Sequence, residues 1–291
     1  MTTALPRVAV IGLGAMGARL ARNLRAGGYP VVVANRSPEP VRRLAAAGAT
    51  AAASPADAAA RADVVLVTVT DDDASETVWL DPRTGVLAGA PRGVLAIDAG
   101  TLSPGWVRKL AATATGAGLR FLEAPMIGSR PQVEARALVH LAGGPPEVLV
   151  DARGVLEESA ARIQHVGDYG AAATLKLIVN AALATQVAVM AELLGVASRA
   201  GLDPAEAVRV LTDLPVTSPA AARAIGVMTA GDFTPNFPVR LAAKDLRYLT
   251  ALADELADRT PMTRTALACY ERADATGHAD DDLTAVAATY R

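Results

Sequence analysis

The sequence predicts an α/β fold: a doubly wound parallel sheet in the N-terminal part, followed by an all-α domain built on a long central helix. Three observations predict it. Short runs of β-branched and aliphatic residues alternate with helix-periodic segments through the first half. A glycine-rich turn follows the first of those runs. Beyond about Val166 the β-type runs stop, and Ala/Leu-rich helical patterns continue to the last residues. The boundary is placed in "HVGDYGAA", where Gly167 and Gly170 precede an apolar helix, giving domains of residues 1–166 and 167–291.

Taken in order, "RVAVI" (Arg7–Ile11) reads as a strand and "GARLARNLRAGG" as a helix closed by Gly27 and Gly28. "PVVVA" (Pro30–Ala34) is a second strand, and Pro40–Ala47 a second helix stopped by Gly48. "DVVLVTV" (Asp63–Val69) and "GVLAID" (Gly93–Asp98) are continuous apolar runs, as expected of parallel strands covered on both faces. "RFLEA" (Arg120–Ala124) and "ALVHLAGG" (Ala137–Gly144) extend the sheet.

Composition narrows the function. The chain has 291 residues, 52% of them hydrophobic and 20% charged, enough to bury a substantial core and unlike a disordered chain. A net charge of −2 supplies no basic field for nucleic acid or anionic lipid. Aromatics at 3% argue against stacking platforms for single strands. The single cysteine, Cys269, excludes an intramolecular disulfide and a thiolate metal cluster. His140, His165 and His278 have no histidine or cysteine at ligand spacing, so no metal site is expected. The acidic run "DDDASE" (Asp71–Glu76) reads as the loop and helix start after a strand rather than a cation site. "MTTALPRVAVIGLGAMG" lacks the features of a signal peptide, and a cytoplasmic location is expected.

The first strand runs into "VIGLGAMG", which places Gly12, Gly14 and Gly17 in GxGxxG spacing with Leu13, Ala15 and Met16 between them. Such a turn makes the tight bend, lets a pyrophosphate approach the backbone and points a helix N-terminus at the anion. This strand–turn–helix context predicts a Rossmann-type dinucleotide site. At the end of the second strand an acidic residue would bind the ribose hydroxyls of NAD. Asn35, Arg36 and Ser37 stand there instead, and a guanidinium with a hydroxyl suits a 2′-phosphate. NADP(H) is therefore the preferred cofactor, with NAD(H) possible.

The apolar run Ala171–Ala200 is long enough to span a bilayer, yet Lys176, Asn180, Gln186, Glu192 and Arg199 interrupt it. A helix this apolar belongs in a core or a subunit interface. Lys176 in such a setting is either a snorkelling side chain satisfied by Asn180 one turn on, or a working group. Burial disfavours the ammonium and would bring its pKa towards the range useful for proton transfer.

These residues resemble the β-hydroxyacid dehydrogenase family, the group around 3-hydroxyisobutyrate dehydrogenase and tartronate semialdehyde reductase. The family signature GLGxMGxxxAxNLxxxG stands here as "GLGAMGARLARNLRAGG", with Met16 and Asn23 in place. "DAGTLSP" matches a second segment, with Gly100 where the family has serine. The third, Ala-Pro-Val-Ser-Gly-Gly, is "APMIGS", so Ile127 replaces the serine that holds a substrate carboxylate. The fourth runs from Gly170 through Lys176 to Asn180; the fifth is "FPVRLAAKDL", with Phe237, Lys244 and Asp245.

The resemblance implies hydride transfer between NADP(H) and a small β-hydroxy acid, semialdehyde or related carbonyl. Lys176 would be the general acid/base and Asn180 its partner. It also implies substrate contacts from Thr101, Gly128, Ser129, Arg130 and Phe237, and cofactor contacts from Val69, Thr70, Thr101 and Lys244. "GDFTPNF" (Gly231–Phe237) reads as a loop placed to reach the cleft. Relatives are dimers or tetramers, so a homodimer or homotetramer is expected. An imine reductase-like NADPH enzyme is the alternative; Lys176 argues against it, because such enzymes generally carry aspartate or tyrosine there. A non-catalytic cofactor-binding module is the alternative of another class, and the retained Lys176 and Asn180 argue against it.

Overall fold

The computed structural model describes residues 4–290. The chain divides into two compact units, Met1–Lys176 and Leu177–Arg291. The division falls inside the long helix Ala171–Arg199 because its opening turns pack with the first unit: Ala173 lies in that unit's core.

Among the described residues the first unit carries nine strands: β1 (Val8–Ile11), β2 (Val31–Ala34), β3 (Thr50–Ala51), β4 (Val64–Val67), β5 (Leu95–Asp98), β6 (Arg120–Glu123), β7 (Met126–Ile127), β8 (Leu138–Gly143) and β9 (Ala160–Gly167). They run in the order β3-β2-β1-β4-β5-β6-β8, with β7 and β9 also paired to β8. From β3 to β6 every pairing is parallel. The chain reverses between β1 and β4, the switch point of a doubly wound sheet.

Both faces of this sheet are covered, and the cause is readable residue by residue. Val8, Val10, Val31, Val33, Val64 and Leu66 enter one core, while Ala9, Ile11, Val32, Ala34, Val65 and Val67 enter the other. Side chains alternate across a strand, so a run that is apolar throughout is stable only between two helical layers. Pro104–Gly116 covers one face with Trp106, Val107 and Leu110, and Pro146–Glu157 the other with Val148, Leu149 and Val155. Ser103 starts the first of these by accepting from the Trp106 amide at 3.2 Å.

The parallel sheet is the one the sequence predicts, and beyond β6 the structure adds β8 and β9 in the opposite sense. β8 runs antiparallel to β6 and β7, then parallel to β9. No crossover helix spans the sheet between β6 and β8; the link contains only β7 and the five-residue helix Arg130–Glu134, so the chain returns beside the strand it left.

The second unit is helical. The remainder of the long helix is followed by Pro204–Asp213, Pro219–Ala230, Val239–Glu255 and Pro261–Ala273, and the 3₁₀ segment Leu283–Tyr290 closes the unit. Asp203 and Ser218 cap two of these helices through the amides of Ala205 and Ala221. Gly231, at φ 70°, ends Pro219–Ala230 in the left-handed conformation that glycine adopts most readily. Ala184, Val187 and Ala191 of the long helix join Met228, Val239, Leu246, Tyr270 and Val286 in one core. The Tyr270 hydroxyl is satisfied there by the Ala184 carbonyl at 3.0 Å. The long helix is apolar enough to cross a bilayer, at mean hydropathy 1.8. These core contacts account for that apolarity on its inner face.

Candidate active site

The turn after β1 is packed behind and open in front. Gly12 sits at φ +88°, and a Cβ there would stand 2.3 Å from the Thr68 carbonyl oxygen. At Gly17 a Cβ would stand 1.9 Å from the Gly12 carbonyl oxygen and 2.3 Å from Thr68 Oγ1. Gly14, by contrast, has nothing within 4 Å of its Cβ position. The helix Gly17–Ala26 begins without a side-chain cap and without an acidic residue in its first turn. Ala18, Arg19 and Leu20 donate to the Gly14 and Met16 carbonyls, so what fits a pyrophosphate here is the open glycine turn at the positive helix end.

Two side chains brace this turn. Thr68 Oγ1 donates to the Gly12 carbonyl at 2.6 Å, and Asn35 Oδ1 accepts from the Leu13 amide at 2.8 Å. The Asn35 amide nitrogen donates to the Ser37 carbonyl at 3.0 Å, so both ends of that side chain hold the turn against the end of β2. Leu13 is buried and offers only backbone, while Ala15 is exposed and Met16 half-buried. Arg36 and Ser37 are exposed beyond β2. The nearby Glu39 is engaged by Arg42 at 2.6 Å and Arg43 at 3.5 Å.

Val69 and Thr70 follow β4, and Gly100 and Thr101 follow β5, at the same carboxyl edge of the sheet. Thr70 donates to Asp71, which caps the helix Asp72–Leu80 through the Ala74 amide. Asp72 accepts from the Ser103 amide and Glu76 pairs with Lys109, so this acidic run is spent on caps and pairs. Among the described residues no group of three or more His, Cys, Asp or Glu side chains could hold a metal ion.

The buried Asp98 carboxylate accepts from the Gly100 amide at 2.8 Å, Trp79 Nε1 at 2.7 Å and Ser75 Oγ at 3.3 Å. A Cβ on Gly100 would meet Asp98 Oδ1 and the Val69 carbonyl oxygen at 3.0 Å, a tight fit that needs a small shift of its neighbours. Burial pushes the Asp98 pKa up to about 6 against those three hydrogen bonds. The folded chain therefore binds this proton more tightly than the unfolded one. The stability it confers is full below the ordinary aspartate value and is lost as pH rises to about 6. The Tm of the wild type minus that of Asp98→Asn is accordingly expected to be larger at pH 4 than at pH 8, by calorimetry. A difference independent of pH would contradict this.

The loop that the family resemblance assigns to substrate follows β6. Ile127 pairs with Val139 across β7 and β8, half-buried, while its neighbour Met126 turns into the core. Gly128 stands at φ +121°. Ser129 forms a capping box with Gln132, whose Oε1 accepts the Ser129 amide at 2.9 Å. Arg130 is half-buried, and its Nε is buried with no hydrogen-bond partner among the described residues. A guanidinium N–H held dry is costly unless something else accepts from it.

The long helix presents Lys176 and Asn180, both buried, one turn apart along its face. In the helical unit Asn180 Nδ2 donates to Asp245 Oδ2 at 2.5 Å, and Lys244 Nζ meets Asp245 Oδ1 at 2.9 Å. Lys244 Nζ also lies 4.6 Å from the Tyr248 ring centroid. Asn180 turns its amide nitrogen to the Asp245 oxygen, and its own oxygen is left as an acceptor that this bond does not use. Phe237 packs on the helical core, and its amide and that of Asn236 donate to Asp282, tying the 231–237 loop to the acidic tail of the same unit.

The histidines are packing residues. His140 bridges the Ala124 carbonyl and Ser159 Oγ, and burial lowers its pKa to about 4. His165 meets the Gly144 carbonyl and His278 the Asp281 carboxylate. Thr68 and Glu123 are contributors that motif spacing does not single out, because each acts on backbone far along the chain.

Fold and turn together define a dinucleotide-binding protein with a helical second unit. The NAD binding domain of 6-phosphogluconate dehydrogenase matches residues 7–167, and the NAD-binding domain of NADP-dependent 3-hydroxyisobutyrate dehydrogenase matches residues 170–290. The chain belongs to the β-hydroxyacid dehydrogenase family. It is 33% identical to an NAD-dependent L-serine dehydrogenase from Pseudomonas aeruginosa, over 97% of each chain. It is 31% identical to the human cytokine-like nuclear factor N-PAC over 98% of its own length, and spans about half (51%) of that relative. The structure of 3-hydroxyisobutyrate dehydrogenase from Mycobacterium tuberculosis with L-serine superposes with a TM-score of 0.89 at 31% identity, covering 99% of both chains.

Proposed function

We propose that the protein is an oxidoreductase that transfers hydride between NADP(H) and a small β-hydroxy acid, semialdehyde or related carbonyl, with Lys176 as general acid/base. The observation that carries this reading is a buried lysine on the long helix, one turn from an asparagine whose amide is held by Asp245. The bound nicotinamide supplies or takes the hydride. Lys176 then donates a proton to the oxygen as negative charge develops, or accepts the hydroxyl proton in the reverse direction. Its burial keeps water from competing and strengthens its field at the reacting oxygen. Asn180 offers its amide oxygen to a donor, either the substrate hydroxyl or the lysine ammonium.

L-Serine and 3-hydroxyisobutyrate, named with the relatives, both place a hydroxyl one carbon beyond the carbon bearing the carboxylate, and that unit is the proposed substrate core. Arg130, with its unmet N–H, is the proposed carboxylate contact in place of the serine replaced by Ile127. A screen of semialdehydes and keto acids at fixed NADPH tests the assignment. No oxidation of NADPH with any of them would remove it.

NADP preference rests on Arg36 and Ser37 standing exposed where an acidic residue would repel a 2′-phosphate. Arg36→Ala is expected to raise the Kd for NADPH by roughly 10-fold, about 1.4 kcal/mol, and to leave NADH almost unchanged. Equal weakening of both would refute the role.

The exposed apolar residues Val189, Leu193 and Val196 recur on one face of the long helix. They support a homodimer or homotetramer in a cytoplasmic protein. Sedimentation should give a multiple of the 29.7 kDa chain mass, and a monomer at micromolar concentration would count against it.

A further inference from the structure

The N-terminus of the long helix is held by a side chain from another element. Of its first four amides, Ala171 donates to the Asp168 carbonyl and Thr174 to the Gly170 carbonyl, both at 3.0 Å. The other two, Ala172 and Ala173, donate to the carboxylate of Glu123 at 3.1 Å, and the Gly170 amide joins them at 2.6 Å. Glu123 is the last residue of β6 and is 1% exposed. One side chain therefore satisfies three N–H groups that a helix start leaves open.

The surroundings are shaped around this carboxylate. Its strand partner is Gly143, where a Cβ would stand 2.1 Å from Glu123 Oε1. Gly170 takes φ +93° to bring its amide round. Tyr169, just before it, donates its hydroxyl to the Phe121 carbonyl of β6 at 2.9 Å, a second tie between the same two elements. Burial pushes the Glu123 pKa up to about 7 in spite of its three N–H partners, with the Asp98 charge adding to the rise. A carboxylate this expensive to desolvate is a poor choice for filling space.

We infer that Glu123 is the positioning residue for Lys176: by gripping the first turn of the long helix from the end of β6, it fixes the rotation and height at which the lysine is presented. Lys176 lies in the second turn, about 7.5 Å along the axis from Ala171 at a rise of about 1.5 Å per residue. Fraying the first turn swings or lifts it by a distance comparable with the tolerance for proton transfer. The inference rests on Lys176 being the acid/base.

The test is Glu123→Gln, which keeps the shape and removes an acceptor, together with Glu123→Asp, which keeps the charge and shortens the reach. Hydrogen exchange at Gly170, Ala172 and Ala173 is expected to quicken at least roughly 10-fold in Glu123→Gln while amides of β1 and β4 stay protected. With the best substrate of the screen, kcat should fall roughly 10-fold to 100-fold, with KM and the Kd for NADPH within about twofold. Glu123→Asp should fall between the two. A folded Glu123→Gln with unchanged kcat overturns the inference, as does a loss of kcat with the three amides still protected. If Lys176→Ala itself keeps turnover, the acid/base reading fails and this inference with it. If Lys176→Ala is inactive and Glu123→Gln is not, only the positioning role falls.

Discussion

Lys176→Ala is expected to lose turnover by roughly 100-fold to 10,000-fold, the usual contribution of a general acid/base, while binding NADPH almost as the wild type does. The asymmetry follows from where the lysine stands. It belongs to the long helix, whereas the turn proposed for the phosphates is built from Gly12 to Gly17, Asn35 and Thr68 at the carboxyl edge of the sheet. Removing the ammonium also removes a buried charge and leaves a small void in an Ala-rich stretch, so folding should be little affected. Titrating NADPH fluorescence alongside steady-state rates separates the two effects. Full turnover in this variant would end the acid/base assignment, and surviving activity on a cyclic imine would shift the reading to an imine reductase-like enzyme.

Gly12→Ala is expected to do the opposite, abolishing measurable NADPH binding and lowering stability. Two costs add at this site. The backbone is left-handed at φ +88°, which costs an alanine about 1–2 kcal/mol. The new methyl would also stand 2.3 Å from the Thr68 carbonyl oxygen, a main-chain atom of the segment following β4 that cannot swing aside. Relief requires the turn to move away from β4, which breaks the Thr68-to-Gly12 hydrogen bond and withdraws the amides from the phosphates. Calorimetry should show a lowered Tm, and titration no saturable NADPH binding. Wild-type affinity in a folded Gly12→Ala protein would mean that the turn is not the phosphate site.

These two sites differ in how far the sequence alone could reveal them. The turn was legible because its requirements are local: a strand, three glycines at fixed spacing and a helix start lie within a dozen residues. The four fully buried strands β1, β2, β4 and β5 were legible for a similar reason, since a run apolar on both faces has few other stable places. The lysine was conspicuous as an electrostatic anomaly on an apolar helix. What holds it was not legible. Glu123 acts on amides 47 to 50 residues ahead, and Asp245 fixes an amide 65 residues behind it. Such pairings depend on how β6 meets the helix start and how two helices of the second unit pack, and no periodicity encodes either.

The reversed strand β8 belongs with these. "ALVHLAGG" marks a strand, and nothing in its composition states a direction. Direction followed from the connection, in which a short loop and one turn of helix returned the chain beside β6 instead of carrying it over the sheet. The sequence by itself thus determined the elements, the glycine-rich turn and the presence of a lysine in an apolar helix, because local sterics and burial fix them. Tertiary structure alone decided the sense of β8, the orientation of the Asn180 amide and the carboxylate at the head of the Lys176 helix. Each of those depends on hydrogen-bond partners that are neighbours only after the chain has folded.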